Sequence, residues 1–364
     1  MKVGILTSTL DPHCGMGNFS LNMAIHLSKL VQVSVVVSEE YEQDALQAKK
    51  LLSRRHAATI FNTIDDAHKV AKYTGDCDLI HCIDENYILV TTLAARLQNK
   101  QYILHSIGTY SILPLHKSLV KHLYKRCFKG AKKVICISNY TKTELLKRVQ
   151  LHNTEIIFPG IADEYFTIGR SEITKEEPGE LIILSVGEVK GRKGYDVSIE
   201  AFAKVKQKTG RKMKYYIIGA EVSAGFRHYL DTIIRKYELG NDVVFLGNVT
   251  DAELKKWYAQ CDIFMLTPRV TEHNFEGFGL VFLEAAAYGK PAIASSSGGV
   301  VDAVEDGVTG IIVPENNSDS TAQALEDLIH DEAKRQKMGE NASKRVKEFS
   351  WDKCAQEIVQ IYRE

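Results

Sequence analysis

The chain has 364 residues, 45% hydrophobic and 25% charged, which is the composition of a globular protein with room for two ordinary domains. Lysine plus arginine equals aspartate plus glutamate at 46 each, so the overall charge gives no reason to expect nucleic acid as a partner. The seven cysteines form no CxxC pair, which argues against a disulfide framework, and no apolar run reaches the length of a membrane span. The N-terminus starts on a strand without the layout of a signal peptide, so the sequence predicts a cytoplasmic protein that would touch a membrane only peripherally.

Short apolar runs alternate with longer amphipathic stretches through the first half of the chain. A helical periodicity at 19–30 separates the first two runs, and we expect further helices between the others. This alternation predicts βαβ units on a parallel sheet that helices cover on both faces. The predicted strands of this half are residues 2–7, 31–37, 79–83, 102–105 and 133–137.

The alternation stops at a polar, acidic stretch broken by glycine and proline, which we interpret as a linker at 166–180. It then resumes, with helices predicted at 251–260 and 278–288, so the chain divides into two doubly wound α/β domains of similar size. Residues 350–364 predict one more amphipathic helix, whose apolar side must dock on another element. The predicted strands of the second half are residues 181–186, 215–218, 243–246, 263–266, 291–294 and 310–313.

Ligands of a parallel α/β sheet collect at the carboxyl ends of its strands, and this rule sorts the candidate motifs. The acidic triplet Asp76-Cys77-Asp78 precedes a strand and so lies at the wrong end; no other cluster has metal-ligand spacing, and we predict no metal site. Gly15 and Gly17 follow the first strand and open a helix, where unpaired N–H groups favour an anion. An ordinary tight turn is an equal interpretation, because the third glycine of a dinucleotide fingerprint is absent.

Two further candidates follow strands. His105 ends a strand, where a histidine can either enter a ligand cleft or be a satisfied core or surface residue. The loop GEVKGRKG, residues 187–194, precedes a helix predicted at 195–208. Its Arg192 and Lys193 would stand at a helix N-terminus, where the dipole disfavours cations unless an anion is present. A diphosphate would satisfy both cations, and a solvated charged loop is the alternative.

The stretch FEGFGLVFLEAAAYGKP, residues 275–291, places two glutamates around the start of one predicted helix. Glu276 lies before the first turn, and Glu284 lies one turn beyond Leu280. An anion held by the opening N–H groups would leave Glu284 beside the sugar attached to it. A carboxylate can accept from two adjacent hydroxyls, which suits a ribose diol. The alternative for Glu284 is an acid on the helix surface, which its apolar neighbours disfavour.

Together these residues resemble the retaining, nucleotide-sugar-dependent glycosyltransferases of family 4, which have the GT-B fold. The resemblance covers essentially the whole chain, and its most specific part is EGFGLVFLE. YGKPAIASSSGGVVDAVEDGVTGIIVP, ISNYTKTEL, FLGNVTDAEL and the closing SWDK segment support it. The family implies two Rossmann-like domains facing across a cleft, with the acceptor on the N-terminal domain, residues 1–165, and the nucleotide sugar on the C-terminal domain, residues 181–349. The helix at 350–364 is implied to cross back and join the N-terminal domain.

The resemblance also implies a role for each candidate residue. Glu276 would hold hydroxyls of the donor sugar with help from backbone N–H groups, and Glu284 would bind the ribose. Arg192 and Lys193 would neutralise the diphosphate, and His105 would reach the donor sugar near the reacting centre. The implied catalytic residues are thus Glu276, His105, Lys193 and Arg192. The implied donor-binding residues are Gly15 and Gly17 at the phosphate, Val249 at the base, and Arg192, Lys193, Glu276, Phe278, Gly279, Leu280 and Glu284.

The family mechanism suits these parts and needs neither a cofactor nor a metal, because Arg192 and Lys193 can stabilise the developing diphosphate charge. Retention without a protein nucleophile implies same-face attack, in which the leaving phosphate oxygen takes the proton of the acceptor. One departure is Glu188, which stands where the family usually has a basic residue. Either Lys190 or Arg192 supplies that charge, or leaving-group stabilisation is weakened.

The leading hypothesis is a transferase that moves a sugar to a glycan or lipid-linked acceptor in cell-surface polysaccharide or glycolipid biosynthesis. A nucleotide-sugar epimerase of similar architecture is one alternative. A non-catalytic subunit that binds nucleotide sugars is the other, and Glu188 is the reason to consider it.

A basic helix is predicted at 115–133, LHKSLVKHLYKRCFKGAKK. Leu115, Leu119, Leu123 and Phe128 lie near one face, and seven lysines or arginines fill the others, which is typical of a helix lying on anionic lipid. A core-docked helix whose solvated face is basic is the alternative. Since the family often combines such a helix with lipid-linked acceptors, an anionic membrane surface is an expected partner.

Overall fold

The computed structural model describes residues 1–41, 46–54, 60–118, 120–167 and 179–364. The described chain forms two compact units, one made of Met1–Ala162 with Ser350–Glu364 and the other of Asp163–Phe349. The second unit thus begins at Asp163, ahead of the linker expected at 166–180. Residues 168–178 of that linker lie outside the described residues.

The described residues of the first unit form a seven-stranded sheet. Its strands are β1 (Lys2–Leu6), β2 (Gln32–Val37), β3 (Ala48–Lys50), β4 (Leu79–Cys82), β5 (Gln101–Ser106), β6 (Lys133–Cys136) and β7 (Thr154–Ile156). Their order is β3-β2-β1-β4-β5-β6-β7, and neighbours pair in parallel throughout. The accompanying helices are α1 (Gly15–Ser28), α2 (Ile60–Tyr73), α3 (Ile88–Leu97), α4 (Thr109–His116), α5 (Lys121–Gly130) and α6 (Asn139–Leu146).

The part of the second unit that the structure describes contains a six-stranded parallel sheet. Its strands are β8 (Leu181–Val186), β9 (Met213–Ile218), β10 (Val243–Gly247), β11 (Ile263–Leu266), β12 (Ala292–Ser295) and β13 (Gly310–Val313), in the order β10-β9-β8-β11-β12-β13. Its helices are α7 (Glu164–Thr167), α8 (Tyr195–Thr209), α9 (Ala224–Lys236), α10 (Asp251–Gln260), α11 (Leu280–Ala287), α12 (Val300–Ala303), α13 (Ser318–His330) and α14 (Glu332–Arg345). The prediction of two Rossmann-like, doubly wound α/β domains is confirmed.

Residues 350–364 belong to the first unit, where they form helix α15 (Trp351–Arg363). Trp351 meets Phe19 of α1 edge to face, with 5.4 Å between ring centroids. Nδ1 of His26 on α1 lies 2.6 Å from a carboxylate oxygen of Asp352. The apolar side of α15 is buried, as its periodicity predicts, because α1 covers it.

Two short strands, β3 and β7, are not predicted from the sequence. β3 and β7 are the outer strands of the first sheet and read AKK and TEI. An edge strand has a neighbour on one side only, so it need not be apolar and shows no strand periodicity. By contrast β8, LIILSV, is buried along its whole length because it lies in the middle of its sheet, and its apolar run predicts it without ambiguity.

The prediction of one basic helix over 115–133 is wrong. Helix α4 contains Pro114 near its end and stops at His116, because Lys117 takes an extended backbone conformation; α5 begins only at Lys121. Leu115 and Phe128 are buried, whereas the Leu123 side chain is exposed, so they do not form one apolar face. The remaining member of that face, Leu119, lies outside the described residues.

Within the described ranges, none of the helices combines the length and the apolar character that crossing a bilayer requires.

Candidate functional site

Two loops of the second unit meet because their strands are neighbours. The loop after β8 carries Arg192, and the loop after β11 carries Arg269, whose backbone N–H donates to the carbonyl oxygen of Arg192 at 2.8 Å. Gly194 ends the first loop with φ +71°, and a Cβ atom there would lie 1.8 Å from the carbonyl oxygen of Thr267. Only glycine allows this close approach, which fixes the turn that carries Arg192.

A charged cluster forms where these loops meet. Oε2 of Glu276 accepts hydrogen bonds from Nη1 of Arg192 at 2.8 Å and from Nζ of Lys193 at 2.7 Å. Burial by itself would raise the pKa of Glu276, but the charges of Lys193 and Arg192 outweigh it and hold that pKa well below its usual range. Burial lowers the pKa of Lys193, and Glu276 opposes that shift. The cluster therefore joins the carboxylate of Glu276 to the side chains of two basic residues.

Arg192 and Lys193 have an anionic partner within the protein itself. Their sequence position indicates that an anion must lie near them, and in the structure Glu276 supplies one. Arginine has five N–H donors and lysine three, and each residue uses one of them on Glu276. Within the described chain, the other side-chain donors of the two residues have no acceptor, so they remain able to bind a second anion.

The backbone of Glu276 is held by the loop after β12. Its carbonyl oxygen accepts a hydrogen bond from the N–H of Gly299 at 2.8 Å. Gly298 has φ +58°, and a Cβ atom on it would lie 2.2 Å from that same carbonyl oxygen. The glycine pair thus lets two loops approach closely enough to keep Glu276 in place.

Replacing Gly298 by alanine should destabilise the second unit by about 1–3 kcal/mol more than replacing Gly307, because only the first Cβ would overlap a backbone atom. Gly307 is the matched control, since it has φ +72° but a Cβ atom on it would meet no described neighbour within 4 Å, so both variants share the conformational penalty. Urea unfolding of both variants measures the difference. Equal losses of unfolding free energy would contradict the proposed contact.

The start of helix α11 adds backbone donors near this cluster. The helix begins at Leu280, two residues later than predicted, because Gly279 takes a left-handed conformation with φ +90°. Among the described residues, no side chain caps this end. The first amides of a helix lack partners within the helix, so this end favours an anion. The side chain of Phe278 packs on Phe349, with 5.8 Å between ring centroids, which anchors the approach to the helix.

Glu284 lies one turn into α11 and is buried. Its Oε2 accepts a hydrogen bond from Oη of Tyr258 at 2.7 Å. Burial raises the pKa of Glu284 to about 7, a shift that the Tyr258 hydrogen bond moderates. Tyr258 is not among the predicted site residues; it projects from α10 and stacks on Tyr288 with 5.9 Å between ring centroids. Aromatic residues on a predicted helix usually indicate core packing, so its position in the sequence carried no signal for this contact.

Gly15 and Gly17 form the opening turn of α1, which starts earlier than the predicted residue 19. The side chain of Cys14 caps this helix by accepting a hydrogen bond from the N–H of Gly17 at 3.3 Å. A Cβ on Gly17 would lie 2.0 Å from the carbonyl oxygen of Asp11. Gly17 is thus required by local packing in the first unit, whether or not a phosphate approaches it.

His105 is the penultimate residue of β5 and is 1% exposed. Its Nδ1 lies 2.7 Å from Nε2 of His81, and its ring meets Phe19 edge to face. Burial lowers the pKa of His105 to about 3, so the ring is neutral at physiological pH. These contacts are packing and hydrogen-bonding contacts inside the first unit. The contact of His105 with a donor sugar stays a prediction.

Glu85 also is not among the predicted site residues. Its Oε1 accepts hydrogen bonds from the backbone N–H groups of Ile107 at 2.6 Å and Gly108 at 2.5 Å, immediately after β5. Burial raises the pKa of Glu85 to about 7, and these hydrogen bonds moderate the shift. Glu85 thus shapes the loop that follows His105, although the DEN sequence around it resembles an ordinary polar turn.

Val249 and Glu188, the remaining candidates of the second unit, are not members of the charged cluster. Val249 follows β10, which is two strands away from β8 in the sheet. Glu188 is half-exposed and pairs with the ammonium group of Lys190. Gly15, Gly17 and His105 belong to the first unit. No group of three or more His, Cys, Asp or Glu side chains suited to a metal ion occurs in the part of the chain that the structure describes.

Comparison with known proteins identifies related families. A family model named glycosyl transferases group 1 matches residues 170–345, and a model named glycosyltransferase family 4 matches residues 14–165. An uncharacterized glycosyltransferase of Methanocaldococcus jannaschii is 31% identical over 310 residues, which cover 79% of this chain and 75% of that protein. D-inositol 3-phosphate glycosyltransferase of Corynebacterium aurimucosum is 32% identical over 221 residues, 58% of this chain and 51% of that protein.

Solved structures share the architecture. The crystal structure of HepE from Anabaena in complex with UDP-glucose has a TM-score of 0.82 and 20% identity, covering 100% of this chain and 99% of that chain. WaaG, a glycosyltransferase involved in lipopolysaccharide biosynthesis, has a TM-score of 0.74 and 14% identity, covering 99% of both chains. At these identities the likeness shows the fold.

Proposed function

Because this chain belongs to the glycosyltransferases with the GT-B fold, we propose that it transfers a sugar from a nucleotide-sugar donor to a glycan or lipid-linked acceptor, with retention at the anomeric carbon. The observation that carries this proposal is the cluster of Glu276 with Arg192 and Lys193, at the carboxyl ends of β8 and β11. This is where a doubly wound sheet binds its ligand.

The donor diphosphate would bind Arg192, Lys193 and the first amides of α11. The two cations have unused N–H donors, and the helix end favours an anion, so both features suit a diphosphate. Glu276 would then accept from hydroxyls of the donor sugar, and Glu284, one turn into the same helix, from those of the ribose. Val249 would face the base, as the resemblance implies.

The proposed reaction proceeds on one face of the donor sugar without a metal. The bond between the anomeric carbon and the phosphate oxygen breaks, and the acceptor oxygen forms its bond to that carbon on the same face. The proton of the acceptor hydroxyl moves to the leaving phosphate oxygen. Arg192 and Lys193 stabilise the charge that develops on the diphosphate, and Glu276 positions the sugar. The family resemblance implies further roles for Gly15 and Gly17 at the phosphate and for His105 at the donor sugar.

Thermal unfolding with UDP-, GDP- and ADP-sugars tests donor binding, because a bound ligand stabilises the folded state. UDP-glucose is the first probe, since the Anabaena protein HepE was solved with it. The matching donor should then be consumed, and NMR should show the released or transferred sugar first in the anomeric form of the donor. A donor that is converted to its epimer without an acceptor would indicate an epimerase. Binding with neither transfer nor hydrolysis would indicate a non-catalytic subunit.

Donor affinity should depend on pH through Glu284. Its pKa of about 7 means that the free protein carries a proton there in roughly half of the molecules at neutral pH. Ribose hydroxyls donate best to the ionised carboxylate, so binding expels this proton, and affinity should fall by up to about 10-fold for each pH unit below the pKa. Calorimetry with the matching nucleotide sugar measures this slope. Glu284→Gln should bind more weakly with a flat profile, and an unchanged slope in that variant would contradict the assignment.

We propose that helix α5 contacts anionic lipid, in keeping with a lipid-linked acceptor. Arg126 and Lys129 are exposed beside the exposed Leu123, and within the described residues they have no acidic partner. Sedimentation with vesicles of anionic phospholipid at low salt should pellet the protein. Reversing both charges, Arg126→Glu with Lys129→Glu, should abolish binding, whereas Lys334→Glu with Lys337→Glu on α14 should not. Failure of the wild-type protein to bind would overturn this part of the proposal.

A further inference from the structure

Three buried rings form a hydrogen-bonded chain between α15 and β5. Oη of Tyr362 lies 2.5 Å from Nδ1 of His81, and Nε2 of His81 lies 2.7 Å from Nδ1 of His105. The residues are 4%, 0% and 1% exposed, respectively. The two imidazole planes are inclined by 21° and their centroids lie 4.8 Å apart, a separation that fits two rings joined through their nitrogen edges by the 2.7 Å contact. The chain joins residues 281 and 24 positions apart in the sequence.

Burial leaves all three groups in their neutral forms. It lowers the pKa of His81 well below its usual range, with the neighbouring His105 adding to the shift. It also lowers the pKa of His105 to about 3 and raises the pKa of the Tyr362 phenol well above its usual value. Each imidazole therefore has one donor nitrogen and one acceptor nitrogen, and the phenol keeps its proton. Only two arrangements of protons can satisfy both contacts.

The two arrangements differ in whether the hydroxyl proton of Tyr362 has an acceptor. In the first, Tyr362 donates to Nδ1 of His81, and Nε2–H of His81 donates to Nδ1 of His105. In the second the order is reversed, and the phenolic proton must find another acceptor. Within the described chain, the Tyr362 hydroxyl has no partner except His81. A buried hydroxyl proton without an acceptor loses its hydrogen bond to water and gains none in the protein, so the first arrangement is favoured.

We infer that Tyr362, acting through His81, keeps the proton of His105 on Nε2 and so makes this nitrogen a fixed hydrogen-bond donor. Tyr362 and His81 are then positioning residues for His105. A donor at this nitrogen suits an oxygen of the donor sugar or of its phosphate, and it could not serve as a base. The functional part of the inference rests on the proposed role of His105, whereas the tautomer itself does not.

Nitrogen-15 NMR of histidine-labelled protein tests the tautomer directly. The spectrum of the wild-type protein should show His105 with a protonated Nε2 and a bare Nδ1. Tyr362→Phe should lose this fixed pattern, because His81 no longer has a donor at Nδ1. Tyr102→Phe is the matched control: it removes a buried hydroxyl of the same unit, which donates to the carbonyl oxygen of Cys127 at 2.7 Å, and it should keep the wild-type pattern. A proton on Nδ1 of His105 in the wild-type protein, or the wild-type pattern in Tyr362→Phe, would overturn the inference.

If Tyr362→Phe does not fold, two variants of His81 test the same tautomer. Glutamine at position 81 can accept from the phenol and donate to His105, so His81→Gln should keep the tautomer, and His81→Phe should not. On transfer activity, Tyr362→Phe should lower kcat by roughly 10-fold, the lower end of the loss known for outer partners of metal-ligating histidines, while Tyr102→Phe should leave it unchanged. If the wild-type protein uses no nucleotide sugar, the proposed function fails while the NMR result still decides the tautomer.

Discussion

Substitution of Glu276 by glutamine should lower kcat for sugar transfer by about 100- to 1,000-fold, the range found when one preorganised polar group is removed from an active site. Glutamine has nearly the same size but no charge, so it holds sugar hydroxyls less strongly while the transition state forms. Donor binding should survive, because Arg192 and Lys193 no longer share their N–H donors with a carboxylate. Steady-state kinetics and calorimetry with the matching donor separate the two effects.

The control for this substitution is Glu272→Gln, which makes the same chemical change at an exposed position of the same loop. Its kcat should equal that of the wild-type protein. Unchanged kcat in Glu276→Gln would rule out the positioning role. The ligand-free Glu276→Gln protein should also unfold at a lower temperature, since two largely buried cations lose their counter-charge, and a nucleoside diphosphate should restore part of that loss.

Substitution of Lys193 by glutamine should lower kcat/KM by about 100- to 1,000-fold. A unit charge about 4 Å from the leaving diphosphate contributes roughly 4 kcal/mol at an effective dielectric constant of ~20, which corresponds to about 1,000-fold in rate. The side chain of Lys193 is only 10% exposed, so water screens this charge little. Initial rates at low donor concentration measure the change.

Lys190→Gln is the control and also addresses the unusual acid at position 188. Lys190 lies in the same loop, but its side chain is 33% exposed and its ammonium group pairs with Glu188. Solvent screening makes such an exposed pair weak, so the rate should change by less than about 10-fold. A larger loss in Lys190→Gln than in Lys193→Gln would mean that Lys190 supplies the charge that the family places at position 188.

Much of the fold could be predicted because central parallel strands have a strong sequence signal. The predictions at 181–186 and 263–266 match β8 and β11, since these strands are buried on both faces and must be apolar. The polar edge strand β3 gives no such signal. The split at His116 also could not be read from periodicity, because the leucines on either side keep a helical spacing although α4 ends there.

The sequence indicates which residues are candidates for the site, but it does not indicate which of them contact each other. Glycine context and helix position single out Glu276, and the helix N-terminus singles out Lys193. Their direct contact depends on the adjacency of β8 and β11, which brings together residues 83 positions apart. Tyr258 and Glu85 carried no signal, because a helical aromatic and an acid in a turn are ordinary features. Their contacts with Glu284 and with the loop after His105 arise only from tertiary packing.

The place of α15 in the first unit has a consequence for the order of folding. His26 and Asp352 are 326 positions apart, so the contacts of α15 have a very high contact order. The second unit, Asp163–Phe349, is one continuous segment, so its fold needs no residue that is synthesised after Phe349. The first unit begins earlier but must wait for α15 to cover Phe19 and to complete the chain of Tyr362 and His81. The unit encoded first is therefore the one completed last, and until then its α1 surface is open to chaperones.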